Sequence, residues 1–329
     1  MSRVIKFATA GGPDVLKFVE TEVLAPGPSD VRIKVKAIGI NRAESMWRTD
    51  VYIEPVTFPA GLGYEAAGIV DAVGSDVTGI VVGDVVSVIP SFSMNQYFTY
   101  GEVVTVPGYA VVKHPASLSF AEAASVWMMF MTAYGALIED AKVGKGDVVL
   151  IPAASSSVGL AAIQIANYAG ATPVALTRTS AKKQQLLDAG AAHVIVTDEV
   201  DLVQEVMRIT AGQGARVAFD PVGGPHFPKL IAALTFQGIV YLYGALAEGA
   251  TPLPVLEMIA KMPVIKGHNI WLTSGDENRR KAAVEYIVAG FESGALKPVI
   301  DRTFKFDDMV EVHRYLENNG QFGKIVVTV

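Results

Sequence analysis

One stretch, Asp147 to Arg178, constrains this chain more than any other, because it reads as a β-α-β unit with a ligand-shaped turn inside it. Asp147-Val148-Val149-Leu150-Ile151-Pro152 is a short β-branched run, the pattern of a strand buried on both faces. A turn with little side-chain bulk follows: Ala153-Ala154-Ser155-Ser156-Ser157-Val158-Gly159. Leu160 to Ala169 then reads as a helix, and Thr172 to Thr177 as a second strand ending at Arg178. Small residues let a backbone approach a pyrophosphate, and a helix N-terminus supplies unpaired N–H groups and a positive dipole end. The residue after the second strand reads the adenosine ribose. An acid there accepts from a free 2′-OH, whereas arginine suits a 2′-phosphate. Arginine at 178 therefore predicts NADP(H).

The 329 residues exceed what one ordinary core holds, so two domains are expected. From Asp147 onward strand and helix alternate, with strands at Val148–Ile151, Pro173–Thr177, His193–Val196, Arg216–Phe219, Ile239–Tyr243 and Val264–Lys266. Right-handed crossovers make six such parallel strands a doubly wound α/β sheet. The earlier residues carry short alternating runs (Val31–Ile38, Ala66–Val73, Val85–Ile89, Val103–Val106) separated by glycines, the pattern of a small, partly open β barrel. Val126–Leu137 is nearly all apolar and reads as a buried inter-domain helix, with Thr132 as the residue that would line the nicotinamide end. After the sheet come a helix over Asn278–Phe291, a strand over Lys297–Thr303, a helix over Phe306–Leu316 and a strand over Lys324–Val329. The expected division is 1–123 completed by 270–329, and 124–269 for the dinucleotide-binding domain.

Composition narrows the function classes. A hydrophobic content of 51% with 18% charged residues indicates a well-buried body. A formal charge of −6 offers no basic patch for nucleic acid. The uncharged stretch from Val148 to Thr177 is long enough to suggest a membrane span, but Pro152, the serine triplet, Gln164, Asn167, Gly170 and Pro173 break that reading. The start at Met1-Ser2-Arg3 runs directly into a strand-like pattern with no signal peptide, so a soluble cytoplasmic protein is expected. With no cysteine there is no disulfide, thiol nucleophile or thiolate metal site. The histidines, 114, 193, 226, 268 and 313, lie at least 33 residues apart, so no metal site is expected.

Two sets of motifs resemble the medium-chain dehydrogenase/reductase superfamily, in its zinc-free quinone oxidoreductase (zeta-crystallin-like) branch. One is Gly63-x-Glu65-x-x-Gly68, Gly74 and Gly83-Asp84-x-Val86; the other is Gly146-Asp147-x-x-Leu150, Ala154-Ser155, Gly159 and Gln164. Asp220-Pro221-Val222-Gly223-Gly224, Tyr243-Gly244-Ala245 and Gly323-Lys324-Ile325-Val326 add to them. The chain departs at Ser156 and Ser157, where the family has two glycines, and at Asn167, where a basic residue is common. It also reads Gly39-Ile40-Asn41 and Gly63-Tyr64-Glu65 where zinc-using relatives place a cysteine and a histidine ligand. The resemblance implies a GroES-like, mostly β catalytic domain beside a Rossmann domain, and hydride transfer to a quinone or an α,β-unsaturated carbonyl. Such acceptors are already electron-poor and need little Lewis-acid help.

On this reading Ser156, Ser157, Val158 and Gly159 face the pyrophosphate, and Thr177, Arg178 and Lys182 the ribose phosphate. Val222, Gly223, Gly244, Ala245 and Leu246 follow the path from adenosine to nicotinamide, with Lys324 also at the cofactor. By position in the family, Asn41, Tyr52 and Thr132 lie near the nicotinamide and acceptor, and Tyr64 could donate a hydrogen bond or proton. Glu65 reads as structural. The family also implies a homodimer joined at the apolar last strand of the sheet, Val264–Ile270. Two alternatives stay open, because fold does not settle function: an NADPH-binding sensor or structural protein with little turnover, and an enoyl reductase for a specific metabolite.

Overall fold

In the computed structural model, which describes residues 1–329, the alternation read from the sequence becomes two units. The first comprises Met1–Met128, Ser274–Arg280 and Pro298–Val329, the second Met129–Thr273 and Lys281–Lys297. The early strands are β1 Ser2–Phe7, β2 Lys17–Thr21, β3 Asp30–Ile40, β4 Ala60–Gly61, β5 Glu65–Val73, β6 Val85–Val88, β7 Val103–Pro107 and β8 Val111–Lys113. The sheet of the second unit holds β9 Val148–Ile151, β10 Thr172–Thr177, β11 His193–Val196, β12 Ala215–Asp220, β13 Leu234–Leu242 and β14 Val264–Gly267. β15 Ile300–Lys305 and β16 Lys324–Thr328 return to the first unit.

β3 is the spine of the first unit. Val31, Ile33, Val35 and Ala37 are buried while Lys34 and Lys36 are exposed, the period-2 signature of a strand with one face on the core. The seven-stranded sheet runs β15-β16-β3-β5-β6-β8, with β7 paired to the other stretch of β3. It is antiparallel except for β15, which lies parallel to β16. A helix at Phe120–Ala123 lies on this sheet over the small side chains Ala37, Ala67, Ala124 and Val326. Contact is so close that a Cβ on Gly39 would sit 1.9 Å from the Ala124 carbonyl oxygen, so only glycine fits there.

The second unit is a wholly parallel six-stranded sheet in the order β11-β10-β9-β12-β13-β14. Val149, Leu150, Ile151, Val217, Ala218 and Phe219 are fully buried, as strands covered on both faces require. Burying each of the larger ones contributes roughly 1.5–3 kcal/mol. Chain order reverses between β9 and β12, and in sheets of this kind ligands bind beyond the carboxyl ends of the strands at that reversal.

Two expectations need correction. Residues 270–273 and 281–297 belong to the second unit, not the first, and residues 124–128 to the first, not the second. Aromatic contacts hold 281–297 there: Phe291 meets Phe130 edge-on at 5.3 Å, and Tyr286 meets Tyr134 and Tyr168, both at 5.1 Å. The Gln164 side chain then holds the Lys297 backbone, donating to its carbonyl at 3.0 Å and accepting its N–H at 2.7 Å. The strand expected at Lys297–Thr303 is β15 at Ile300–Lys305, three residues later at its start. No helix is long and apolar enough to cross a membrane.

Candidate active site

At the end of β9 the chain turns through Ala153, held at φ +46°, and Ser156 becomes the N-cap of the helix Ser157–Tyr168. The Ser156 Oγ accepts the Gly159 N–H at 3.1 Å. A Cβ on Gly159 would lie 2.7 and 2.8 Å from the Ala154 and Ala153 carbonyl oxygens, so glycine lets the first helical turn press onto the loop. The N–H groups of Ser157 and Val158, half-buried, have no intrahelical partner at this end of the helix. Unpaired N–H groups and the dipole make this an anion site.

The carboxyl ends of the neighbouring strands bring the other candidates to the same sheet edge. β10 ends at Thr177, whose Oγ1 donates to the Thr179 carbonyl at 3.3 Å, and at Arg178, which is exposed. Lys182 turns back and donates to Ser155 Oγ at 3.3 Å. After β12, the buried Asp220 carboxylate accepts the N–H groups of Val222 at 2.8 Å and Gly223 at 3.1 Å. Burial raises its carboxyl above the usual range, and these N–H groups act against that. After β13, Gly244, Ala245 and Leu246 are exposed, and the Leu246 N–H is held by the Pro221 carbonyl at 3.1 Å. Tyr243 stacks on Phe219 with ring centres 4.0 Å apart, and its hydroxyl oxygen is buried without a hydrogen bond of regular geometry. Thr132, 6% exposed, lies on the helix Trp127–Tyr134, and its carbonyl meets His268 Nε2 at 2.8 Å.

The first unit holds the remaining candidates in a buried polar cluster. Asn41 caps the helix Arg42–Arg48 and forms a capping box with Glu44, each engaging the other's backbone or side chain. Asn41 Nδ2 also donates to Glu65 Oε2 at 3.1 Å, and its Oδ1 accepts from Lys324 Nζ at 2.5 Å. Lys324 pairs with Glu65 at 2.5 Å, and Glu65 further accepts the Met128 N–H at 2.8 Å. Glu44 and Glu65 are 0% exposed and Lys324 is 1% exposed. Two carboxylates and one ammonium out of water leave a net negative charge. Burial drives the Glu44 carboxyl up to about 7, although Lys324 and Asn41 pull it down.

This cluster holds two of the candidate site residues. The Asn41 amide and the Lys324 ammonium, expected beside cofactor or acceptor, are spent on buried internal partners. Leaving a buried charge unpaired costs more than the pair contributes, which keeps them there. Tyr64 is also fully buried, with its N–H on Glu44 Oε1 at 3.3 Å and its ring among Tyr52 and Phe92. Its hydroxyl lies beside that of Tyr52 without a hydrogen bond of regular geometry, and burial drives it far above the ordinary phenol range. Such a hydroxyl can donate a hydrogen bond but does not ionise. Tyr52 is half-buried, its hydroxyl likewise raised by burial.

Sequence reasoning missed Glu44, although Asn41-x-x-Glu44 is a capping-box spacing, and it gave no role to Asp220 or Tyr243. It also missed a second buried set. Arg48, 0% exposed, donates to the Gly11 carbonyl and Glu317, while Tyr100 Oη meets His313 Nε2 at 3.3 Å. Nowhere do three or more His, Cys, Asp or Glu side chains gather as a metal would require.

Comparison with known proteins agrees with this layout. Residues 27–153 match the alcohol dehydrogenase GroES-like domain family, and residues 157–288 the zinc-binding dehydrogenase family. A quinone oxidoreductase of Salmonella typhimurium is 30% identical over 331 residues, covering 98% of each chain. The crystal structure of Escherichia coli quinone oxidoreductase complexed with NADPH superposes with a TM-score of 0.90 at 28% identity, over 99% of this chain and 100% of that one. The CurK enoyl reductase structure matches with a TM-score of 0.88 at 25% identity, over 99% of both chains. The chain belongs to the medium-chain dehydrogenase/reductase superfamily, in its quinone oxidoreductase branch.

Proposed function

We propose that the protein is an NADPH-dependent, zinc-independent reductase of quinones or α,β-unsaturated carbonyls. One observation carries the cofactor assignment: a phosphate-type turn and helix N-terminus are followed by a second strand that ends at the exposed guanidinium of Arg178. The NADPH bound by the E. coli relative supports the same choice. Ser157 and Val158 would hold the pyrophosphate through backbone N–H groups, Arg178 the 2′-phosphate, and Val222, Gly223 and Gly244–Leu246 the path beyond. The Tyr243 hydroxyl, without a regular hydrogen bond, marks a place where this surface can take another polar group.

When bound, the cofactor supplies the hydride; the protein binds, orients and excludes water. Tyr64, which stays protonated, is suited to donate a hydrogen bond toward an acceptor oxygen, with Tyr52 beside it. The proton that completes reduction comes from elsewhere, because the burial around this hydroxyl prevents its ionisation. Asn41, Glu65 and Lys324 support this wall from within. Zinc independence rests on the ligand set: Asn41 and Tyr64 stand where the cysteine and histidine ligands would be needed, and no other acid or histidine group replaces them.

Association as a homodimer is part of the proposal. β14 is an edge strand, and Leu256, Ile259, Met262 and Val264 on and beside it are exposed. A second copy adding its own β14 would cover both the strand edge and these side chains.

The fold match to an enoyl reductase favours the C=C acceptor as the second reading. Loss of NADPH absorbance with a panel of quinones, enones and aldehydes tests the proposal. Turnover of a quinone or enone supports it, and enone-only turnover selects the second reading. Tight NADPH binding with no turnover of any acceptor refutes the enzyme and leaves a binding protein.

A further inference from the structure

The Tyr243 hydroxyl lies where its chemistry is unused. Its ring is fixed by near-parallel stacking on Phe219, at 20° between planes, and its N–H is held by the Asp220 carbonyl at 3.0 Å. The hydroxyl oxygen is buried beside the Ser156 side chain, close enough to interact with it but without a hydrogen bond of regular geometry. Its polar neighbours are the Ser156 side chain and the Asp220 carboxylate. Asp220 accepts two backbone N–H groups and Ser156 Oγ accepts the Gly159 N–H, so the serine oxygen keeps a second lone pair for the tyrosine. A buried donor left without a partner costs roughly 1–3 kcal/mol, so a chain that keeps it needs a use for it. Ser156 is also one of the two places where this sequence replaces a family glycine by a residue with a hydroxyl.

Resting on the dinucleotide reading above, we propose that Tyr243 is a positioning residue for the cofactor's diphosphate, acting through Ser156. A phosphate oxygen at the helix N-terminus can accept the Gly159 N–H in place of Ser156. The serine is then free to donate its own hydrogen to the phosphate while its oxygen accepts from Tyr243. Every donor in the set is satisfied, and the tyrosine fixes the serine against the anion. The diphosphate is common to NADPH and NADH, so this contribution differs from that of Arg178, which concerns only the 2′-phosphate.

Tyr243→Phe, Ser156→Gly and the double variant test it, with dissociation constants for NADPH and NADH from nicotinamide fluorescence and melting temperatures without cofactor. Tyr243→Phe should weaken both cofactors by the same factor, about tenfold, while leaving the melting temperature unchanged or raised, since it deletes an unsatisfied hydroxyl. In the Ser156→Gly background the same change should have no further effect on binding. An unchanged dissociation constant in Tyr243→Phe overturns the proposal, as does a full additional loss in the double variant. A lowered melting temperature with unaltered binding would make the hydroxyl merely structural. Failure of the parent protein to bind either dinucleotide would instead remove the cofactor reading on which the proposal stands.

Discussion

Glu44 and His313 give the first unit two opposing dependences on pH. Between about pH 4.5 and 7 folded Glu44 keeps a proton that the unfolded chain has released. Stability therefore falls as pH rises through that window, by about 1.4 kcal/mol per pH unit and about 3 kcal/mol in all. His313 behaves oppositely. Burial, with Arg48 and Arg42 nearby, holds its imidazole down to about 3 from an ordinary 6.5. The unfolded state binds that proton more readily, so stability rises with pH from about 3 to 6.5, by a similar slope. Across the overlap the two contributions nearly cancel. Glu44→Gln should unmask the rising limb and His313→Gln the falling one. Urea unfolding between about pH 5 and 8 in a Trp271→Phe background, followed by the fluorescence of Trp47 and Trp127, reads the first unit, since both indoles are buried there. The measured quantity is each variant's difference from the parent, because His114, also lowered by burial, adds to the His313 side in every protein. A Glu44→Gln difference that stays constant from about pH 5 to 8 would mean that Glu44 is ionised throughout. The net-charge argument for the cluster would then be wrong.

Other expected outcomes follow from the same residues. Arg178→Ala should weaken NADPH about ten- to a hundredfold and leave NADH nearly unchanged, from roughly 1.5–3 kcal/mol for a charged hydrogen bond; equal parent affinities for both cofactors would refute the 2′-phosphate assignment. Lys324→Met should destabilise the fold by roughly 3–5 kcal/mol, because Glu65 loses its counter-charge in a buried site; a loss below about 1 kcal/mol by urea unfolding would contradict this. Purified protein should contain no stoichiometric zinc and keep its reductase activity under strong chelation, with elemental analysis as the check. Light scattering should give about twice the 34.9 kDa chain mass, and a charge placed by Ile259→Lys should lower it toward one chain.

The strands of the parallel sheet were legible because each is a continuous apolar run bounded by a turn, a local signal. The boundary near residue 281 was not, because Tyr286 and Phe291 would look alike whichever unit they joined; their partners lie more than a hundred positions away. At the turn after β9 the residue types themselves carry the chemistry, so Ser156–Gly159 and Arg178 could be proposed from spacing. Asn41 and Lys324 could be named but not given their roles. A sequence shows that an amide and an amine are present, but not that two glutamates close around them. Tyr243 entered the sequence reading only as part of a motif, because the surroundings of a buried hydroxyl are a property of geometry alone.

The pairing of β16 with β3 has a consequence for how the chain is made. Lys324 meets Asn41 across 283 positions, and Val326 sits opposite Gly39. The second unit is complete once Lys297 has left the ribosome, so it can fold while the first still waits for β15 and β16. During that interval the Ala37–Ile40 edge of β3 is open, and Glu65 has no ammonium to face it. An open apolar strand edge recruits other chains. A nascent or proteolysed chain ending before Lys324 should therefore carry a sound nucleotide-binding half and aggregate through the other.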